Sequence, residues 1–462
     1  MLHRIEIGNS LEMIGEVTSL KDMLSKLKSI SINLGLSLIS IILFILMMEL
    51  VFPKILHKLP LPFYLGLGKD YKILGQYHKK SVIPVDYIAI VGDSHALGSG
   101  DWYLQVVKKH KLTQGDYHSA HILYNKTGRD VLSFGALGSG SLRGLVLKPI
   151  SYFKHFNLLR DFELKQPKEI LVYFFEGNDL SDNLIDIYSH YRDNYDMARL
   201  YDHEYFKTFI EKEILSTDRI YRGEVPYKNW LFSRFLVESV GDNIYNEIKR
   251  GIKKFKRFLV ESVGDNIYNE IKRDIKKFKQ VSPNFSGKVS PTNSDIAKVG
   301  GEELPIPHST QQPALNLNEE QTRQAIYVFE QSLKYMAGFF NESKVTIVYI
   351  PSPISVYKWA SPTITIVGGT VTPVGVTPVV RVYQRSDEIF EQIKTIAEKY
   401  NHPLIDTRPL LRATALKEPV HGPRDWYHPN KKGYEAIAQG ILENTSLLKR
   451  TLTVLEKAES TL

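Results

Sequence analysis

The sequence predicts an α/β domain with a mainly parallel central sheet, and three observations predict it. The runs Tyr87–Val91, Glu169–Phe175 and Val345–Ile350 are short, apolar and rich in β-branched and aromatic residues, as strands buried on both faces are. Helical periodicity lies between them. It is clearest over Asn318–Phe340, where Ile326, Phe329, Leu333, Met336, Ala337 and Phe340 share one face and Asn318 with Gln321 has capping-box spacing. Strand alternating with helix places helices on both faces of the sheet, as a three-layer α/β/α sandwich. In such sheets ligands bind beyond the carboxyl ends of the strands, and polar blocks follow two of these runs directly.

Composition agrees with a folded chain: of 462 residues, 43% are hydrophobic and 24% charged. There is no cysteine, which excludes disulfides, thiolate metal sites and cysteine nucleophiles. Covalent catalysis here must therefore use an oxygen or nitrogen nucleophile. The formal net charge of +8 invites an anionic partner, so its location matters.

Taking the elements in order, the first is membrane-like. Ile30 to Met48 holds no charged residue over nineteen positions, close to the roughly 20 that cross a bilayer as a helix. Glu49 follows, then Leu50, Val51, Phe52 and Pro53. Lys21, Lys26 and Lys28 precede the run and Lys54 and Lys58 follow it, a balance leaning toward a cytoplasmic N-terminus. No small-residue cleavage site follows, as expected of a retained signal-anchor. Met23 before LSKLKSI makes a conventional basic start to such a segment, which marks 1–22 as an upstream extension.

The strand ends carry the chemistry. Gly92-Asp93-Ser94-His95 follows the first run, Gly177-Asn178-Asp179 follows Glu169–Phe175, and Asp425-Trp426-Tyr427-His428 stands just before a helical segment at Lys431–Leu442. Between the first two lies a glycine turn, Gly135-Ala136-Leu137-Gly138-Ser139-Gly140. Taken singly, Ser94 fits a helix cap as well as a nucleophile, Asn178-Asp179 fits turn chemistry, and His428-Pro429-Asn430 fits a helix start. Together they supply what acyl transfer needs: an exposed hydroxyl at a strand-to-helix turn, an imidazole, and a carboxylate three residues before it to hold one ring nitrogen. The glycine turn lacks the lysine of a phosphate-binding loop and the order of a dinucleotide fingerprint. No His, Asp or Glu cluster has metal-ligand spacing, and the expected chemistry needs neither metal nor cofactor. Trp102 and Trp426 lie near these blocks in sequence and suit either core packing or stacking on a sugar ring.

These four blocks, GDSH at Gly92–His95, GALG at Gly135–Gly138, GND at Gly177–Asp179 and DWYH at Asp425–His428, resemble the signature blocks of the SGNH hydrolases, the GDSL esterase/lipase superfamily, in their usual order. Two positions depart from the pattern. His95 stands where the name-giving motif has leucine, and Ser133 lies ahead of the glycine block where asparagine is common. The resemblance implies a flavodoxin-like sandwich in which Ser94 is the nucleophile, His428 the general base and then acid, and Asp425 its orienter. It also implies an oxyanion hole made of the N–H groups of Ser94 and Gly138 and the side-chain amide of Asn178. His95 is expected to pack locally. The GDSH form resembles membrane-tethered relatives that modify polysaccharides, which implies O-acyl esters, most simply acetyl, of a cell-surface polysaccharide or glycoconjugate. An O-acyltransferase, a lipid esterase and a non-catalytic surface or assembly protein on the same scaffold are the alternatives.

The middle of the chain is expected to be a mostly helical insertion, 181–342. It contains Arg234–Lys256 repeated as Arg257–Lys279, differing only at Gly251 and Asp274, a recent tandem duplication rather than a solenoid. Val240, Ile244, Ile248, Ile252 and Phe255 fall at helical spacing, so each copy reads as a basic amphipathic helix with a bend expected near Gly264. The two copies hold 12 basic and 7 acidic residues, a net +5 of the chain's +8. The charge is thus one unit copied twice, which argues against nucleic-acid binding. Residues 281–317, rich in Pro, Ser, Asn and Gly, read as a surface linker, and Ile364–Val380 as an irregular hairpin.

The expected organisation is an N-terminal cytoplasmic segment at 1–29, a transmembrane signal-anchor at 30–52, and an SGNH hydrolase domain at 85–180 and 343–445 interrupted by the insertion. The expected partners are an acylated carbohydrate or lipid substrate and the membrane. A single-pass protein with its catalytic domain outside the cytoplasm, in a bacterial periplasm or on the cell surface, completes the expectation.

Overall fold

The computed structural model describes residues 3–56, 58–59, 64, 72–101, 117–158, 163–224, 232–233, 236–237, 294–367 and 375–445. Trp102 and the repeat copies, apart from Leu236 and Val237, lie outside the described residues.

The first element is one helix, α1, His3–Leu56. Within it Lys28–Phe52 has a mean hydropathy of 2.6 over a window with none of its residues buried. These 25 residues extend about 37 Å, enough to cross the roughly 30 Å hydrocarbon layer.

Five parallel strands form the central sheet: β1 (Tyr87–Val91), β2 (Asp130–Ser133), β3 (Glu169–Phe175), β6 (Lys344–Ile350) and β10 (Leu404–Asp406). Their order is β10-β6-β3-β1-β2. The chain steps from β1 to β2 on one side, then crosses back to β3 on the other, so a topological switch point lies between β1 and β3. Register follows the apolar pattern, with Ile88↔Val131 and Ile88↔Glu169 fixing β1 against both neighbours.

Side chains alternate across this sheet into two cores. Ala89 and Val91, with Ile170, Val172 and Phe174, face one cluster. It is closed by α4 (Lys148–Leu158), α5 (Asp179–Asp186), α6 (His203–Phe209), α7 (Glu319–Phe339) and α8 (Val379–Lys399). Ile88 and Ile90, with Leu171, Tyr173 and Phe175, face the other, closed by α3 (Ser119–Thr127), α9 (Arg408–Ala415) and α10 (Lys431–Asn444). Each fully buried Leu, Ile or Phe in these layers contributes about 1.5–3 kcal/mol. The helix expected over Asn318–Phe340 starts where its caps dictate: Asn318 accepts from Gln321 N–H at 2.8 Å and Gln321 Oε1 accepts from Asn318 N–H at 3.0 Å.

The linker expectation for 281–317 needs correction. Ser294–Val299 (β4) and Glu302–Pro307 (β5) pair antiparallel and β4 also pairs with β7 (Lys358–Trp359). The cause is the Gly300-Gly301 turn, whose φ values of +62° and +85° suit a two-residue hairpin. Ala297, Val299 and Ile306 are buried, while Pro305 and Pro307 sit on the β5 edge, where a missing N–H costs no ladder bond. Leu184, Tyr191, Phe206 and Phe209, which fall inside the expected insertion 181–342, belong to the same core as the sheet. The expected hairpin near 364–380 is present as β8 (Thr363–Ile366) paired with β9 (Gly375–Pro378).

Candidate active site

The site lies at the carboxyl end of β1, beside the switch point. Gly92 has φ +141°, and a Cβ there would lie 2.7 Å from the Tyr173 carbonyl oxygen, so the turn after β1 requires glycine. Asp93 caps the short helix α2 (Ser94–Leu97), its Oδ1 accepting His95 N–H at 2.8 Å. Ser94 is thereby held at the first helical position, 6% exposed.

Ser94 Oγ lies 2.8 Å from His428 Nε2, and His428 Nδ1 lies 2.7 Å from Asp425 Oδ2. A carboxylate only accepts, so Asp425 fixes the imidazole proton on Nδ1 and leaves Nε2 to accept the serine proton. The other oxygen, Asp425 Oδ1, accepts the backbone N–H of Tyr427 at 2.9 Å and of His428 at 3.2 Å. Burial pushes the Asp425 carboxyl up, but the bond and charge of His428 and these two N–H groups outweigh it and hold the group below the usual carboxylate range. The three residues expected to work together are thus in contact, from segments over 300 positions apart in sequence.

Asp101 was not anticipated. Its Oδ1 accepts the N–H of Arg424 at 2.9 Å and of Asp425 at 2.8 Å, tying the triad loop to the turn after α2. That approach needs Gly100, at φ +149°, where a Cβ would lie 2.4 Å from the Pro429 carbonyl oxygen. Tyr434 of α10 adds a bond to the Ser99 carbonyl at 2.6 Å.

His95 is buried, donates from Nδ1 to Asp93 Oδ2 at 3.1 Å, and stacks on Phe175 with centroids 3.8 Å apart. Burial holds its pKa below the usual imidazole range, against the opposing charge of Asp93. Its ring centroid is 5.0 Å from that of His428, and its Nε2 has no partner. Trp426 is half-buried against Gly422, and its indole N–H is likewise unpaired.

Of the three expected oxyanion donors Ser94 follows β1, while Gly138 and Asn178 stand on the turns after β2 and β3, the two strands flanking β1. Gly138 is exposed at φ +57°. Its turn rests on α2 and the turn before it, for Ser133 Oγ donates to the Ala96 carbonyl at 2.6 Å and Ala136 N–H to the Gly92 carbonyl at 3.1 Å. Asn178 precedes α5 and donates from Nδ2 to Asp182 Oδ2 at 2.7 Å, while its Oδ1 is buried without a partner. Burial, then repulsion from Asp93 and Asp186, pushes Asp182 up to about 7. The fully buried Asn183 clamps the two turns together: its Oδ1 accepts Ser141 N–H at 2.7 Å, and its Nδ2 donates to Ser141 Oγ and the Ala325 carbonyl, both at 3.0 Å.

Behind Asn178, Glu176 is fully buried and accepts from Tyr349 Oη at 2.5 Å, from the N–H and Oγ of Ser352 at 2.8 Å each, from Ser386 Oγ at 2.6 Å, and from Ser355 Oγ. These donors fix where β3 ends and the 176–178 turn begins. Neither Asn183 nor Glu176 bears a signal in sequence beyond lying beside the Gly177–Asp179 block. Among the described residues no group of His, Asp or Glu side chains is placed to hold a metal ion.

Such an arrangement can move a proton from a hydroxyl to an imidazole beside a fixed carboxylate. In comparison with known proteins, no family model and no curated protein matches the chain.

Proposed function

We propose that the chain is a serine-dependent ester hydrolase of the SGNH type, with the flavodoxin-like sandwich of that superfamily, acting on acyl esters through an acyl-enzyme on Ser94. The observation that carries this reading is the unbroken relay from Ser94 Oγ to His428 to Asp425, at 2.8 and 2.7 Å. The strand order, with the polar blocks at the ends of β1, β2 and β3, supports the fold assignment.

In the proposed reaction His428 Nε2 takes the proton of Ser94 Oγ as the oxygen attacks the ester carbonyl carbon. The carbonyl electron pair moves onto oxygen, where the N–H groups of Ser94 and Gly138 and the amide of Asn178 receive it. Collapse breaks the bond to the alcohol, which leaves with the proton from His428. Water then repeats the sequence at the acyl carbon, releasing the carboxylic acid and restoring Ser94. Asp425 stabilises the imidazolium in both halves.

The favoured substrate is an O-acyl group, most simply acetyl, on a cell-surface polysaccharide or glycoconjugate. The apolar helix Lys28–Phe52 supports a single-pass anchor with residues 1–29 in the cytoplasm and the catalytic domain outside it. The test is acetate release from p-nitrophenyl acetate and from acetylated oligosaccharides. Wild type is expected to turn over both and Ser94→Ala neither; equal rates for the two proteins overturn the assignment. Diversion of the acyl group to an added acceptor sugar, without free acetate, replaces hydrolysis by transfer.

A further inference from the structure

Asn178 occupies the N-cap position of α5, where the side-chain oxygen of an asparagine ordinarily accepts a backbone N–H of the first turn. Here it makes no such bond, and its Oδ1 is buried without a partner. A buried acceptor left unpaired at a position suited to pairing it calls for an explanation. The side chain is held instead by Asp182, whose Oδ2 accepts from Asn178 Nδ2 at 2.7 Å. Among the described residues this is the one side-chain bond that Asn178 makes. An ionised carboxylate only accepts, so the nitrogen side of the amide must face it.

Asp182 is itself held at a cost. Burial, then the charges of Asp93 and Asp186, push its carboxyl up, while the Asn178 bond and the charge of Arg143 oppose them. Asp182 lies one helical turn past Asn178 and its own N–H donates to the Asn178 carbonyl at 2.8 Å, so it grips both the main chain and the side chain of that residue. On the other side, Ser352 and its neighbours pin the chain through Glu176. Rotation of the Asn178 side chain is then the freedom that Asp182 removes. An orphaned amide oxygen and a crowded carboxylate are each destabilising, and such defects are kept where geometry serves function.

We propose that Asp182 is a positioning residue for the acyl-transfer chemistry: by taking one of the two Nδ2 hydrogens of Asn178 it fixes the amide plane and leaves the other hydrogen to the developing oxyanion. The amide is planar, so anchoring one N–H sets the direction of the second. Without Asp182 the amide is free to turn its oxygen to the N–H groups of Leu180 and Ser181, the cap bonds ordinarily made from that position. The inference rests on reading Ser94 as the nucleophile and Asn178 as an oxyanion donor.

The test is a double-mutant cycle on the full-length protein at pH 8, with p-nitrophenyl acetate as substrate and Tm measured on the same samples. Asp182→Ala is expected to lower kcat by about 10-fold or more with KM changed by less than about twofold, the mark of an interaction made only in the transition state. Asp182→Asn keeps an acceptor oxygen and is expected to recover most of that loss. Both variants remove the same crowded charge, and neither is expected to lower Tm. Asn178→Ala is expected to lose about 100- to 1000-fold in kcat, and adding Asp182→Ala to it is expected to cost nothing further. Wild-type kcat in Asp182→Ala, equal defects in the two Asp182 variants, full additivity with Asn178→Ala, or a kcat loss that tracks a lowered Tm each overturn the positioning role while Ser94 stands. A wild-type rate in Asn178→Ala removes that residue from the oxyanion hole and overturns the inference with it. Turnover unchanged in Ser94→Ala overturns the esterase reading itself.

Discussion

The carboxylate of Asp101 accepts the backbone N–H of Asp425 at 2.8 Å, so one aspartate positions the main chain of another whose side chain orients His428. The bond joins the turn after α2, which carries Ser94, to the loop that carries His428, and Asp101 also receives the N–H of Arg424. Asp101→Ala is expected to lower kcat for an aryl acetate by about 10- to 100-fold, equivalent to about 1.4–2.7 kcal/mol, the size of one charge-assisted bond of about 1.5–3 kcal/mol. Asp101→Asn, which keeps an acceptor oxygen, is expected to recover most of that loss. Steady-state kinetics of the two variants check this, and equal defects contradict a positioning role.

Asp425 reads out in the pH profile. Because its carboxyl is held below the usual range by His428 and two backbone N–H groups despite burial, it stays ionised through neutral pH. The acid limb of log kcat/KM is therefore expected to fall with a slope of one, with no second proton taken up by Asp425. Asp425→Asn presents an amide in its place, disfavours the required tautomer, and is expected to cost on the order of 10⁴ in kcat.

Asp182 reads out in stability. Burial and the neighbouring Asp93 and Asp186 raise its folded pKa to about 7 from the ordinary 3.8 of an aspartate. The folded state then binds the extra proton, so its contribution is neutral below about pH 4, grows unfavourable as pH rises, and levels off above about pH 7, reaching ~4 kcal/mol at most. Asp182→Asn keeps an acceptor for Asn178 and is expected to raise Tm at pH 8 but leave it nearly unchanged at pH 4. Thermal denaturation at both values tests this; the same shift at each pH contradicts it.

Asn183 couples the glycine turn to α5 and α7 through three bonds while fully buried. Asn183→Ala leaves the buried Ser141 N–H without a partner and removes the second bond to the Ala325 carbonyl, and is expected to cost about 2–4 kcal/mol of stability. In protein that remains folded, kcat is expected to fall more than KM rises, since the turn that moves carries Gly138. Denaturant titration with steady-state kinetics on the same samples separates the two effects.

The sequence makes some of this molecule legible and leaves other parts silent for physical reasons. Tyr87–Val91, Glu169–Phe175 and the α7 capping box are local patterns, and each forms as read. Ser94, Asp425 and His428 were readable because their residue types recur in blocks tied to strand ends, and the structure brings them into contact. The β4–β5 hairpin was missed because proline and glycine mark linkers and hairpins alike, and only the Gly300-Gly301 turn separates the two. Asp101, Glu176 and Asn183 could not be found by spacing, since their bonding partners lie between 42 and 324 positions away along the chain.

The central claim is that Ser94 Oγ is a nucleophile activated by His428. It is tested most directly by mass spectrometry of the full-length protein after reaction with a fluorophosphonate, which phosphonylates an activated serine and releases fluoride. A single adduct mapping to the peptide that contains Ser94, lost in Ser94→Ala and formed at least a hundredfold more slowly in His428→Ala, is the predicted result. An unmodified Ser94 in folded wild-type protein, or labelling that proceeds equally in His428→Ala, contradicts the account.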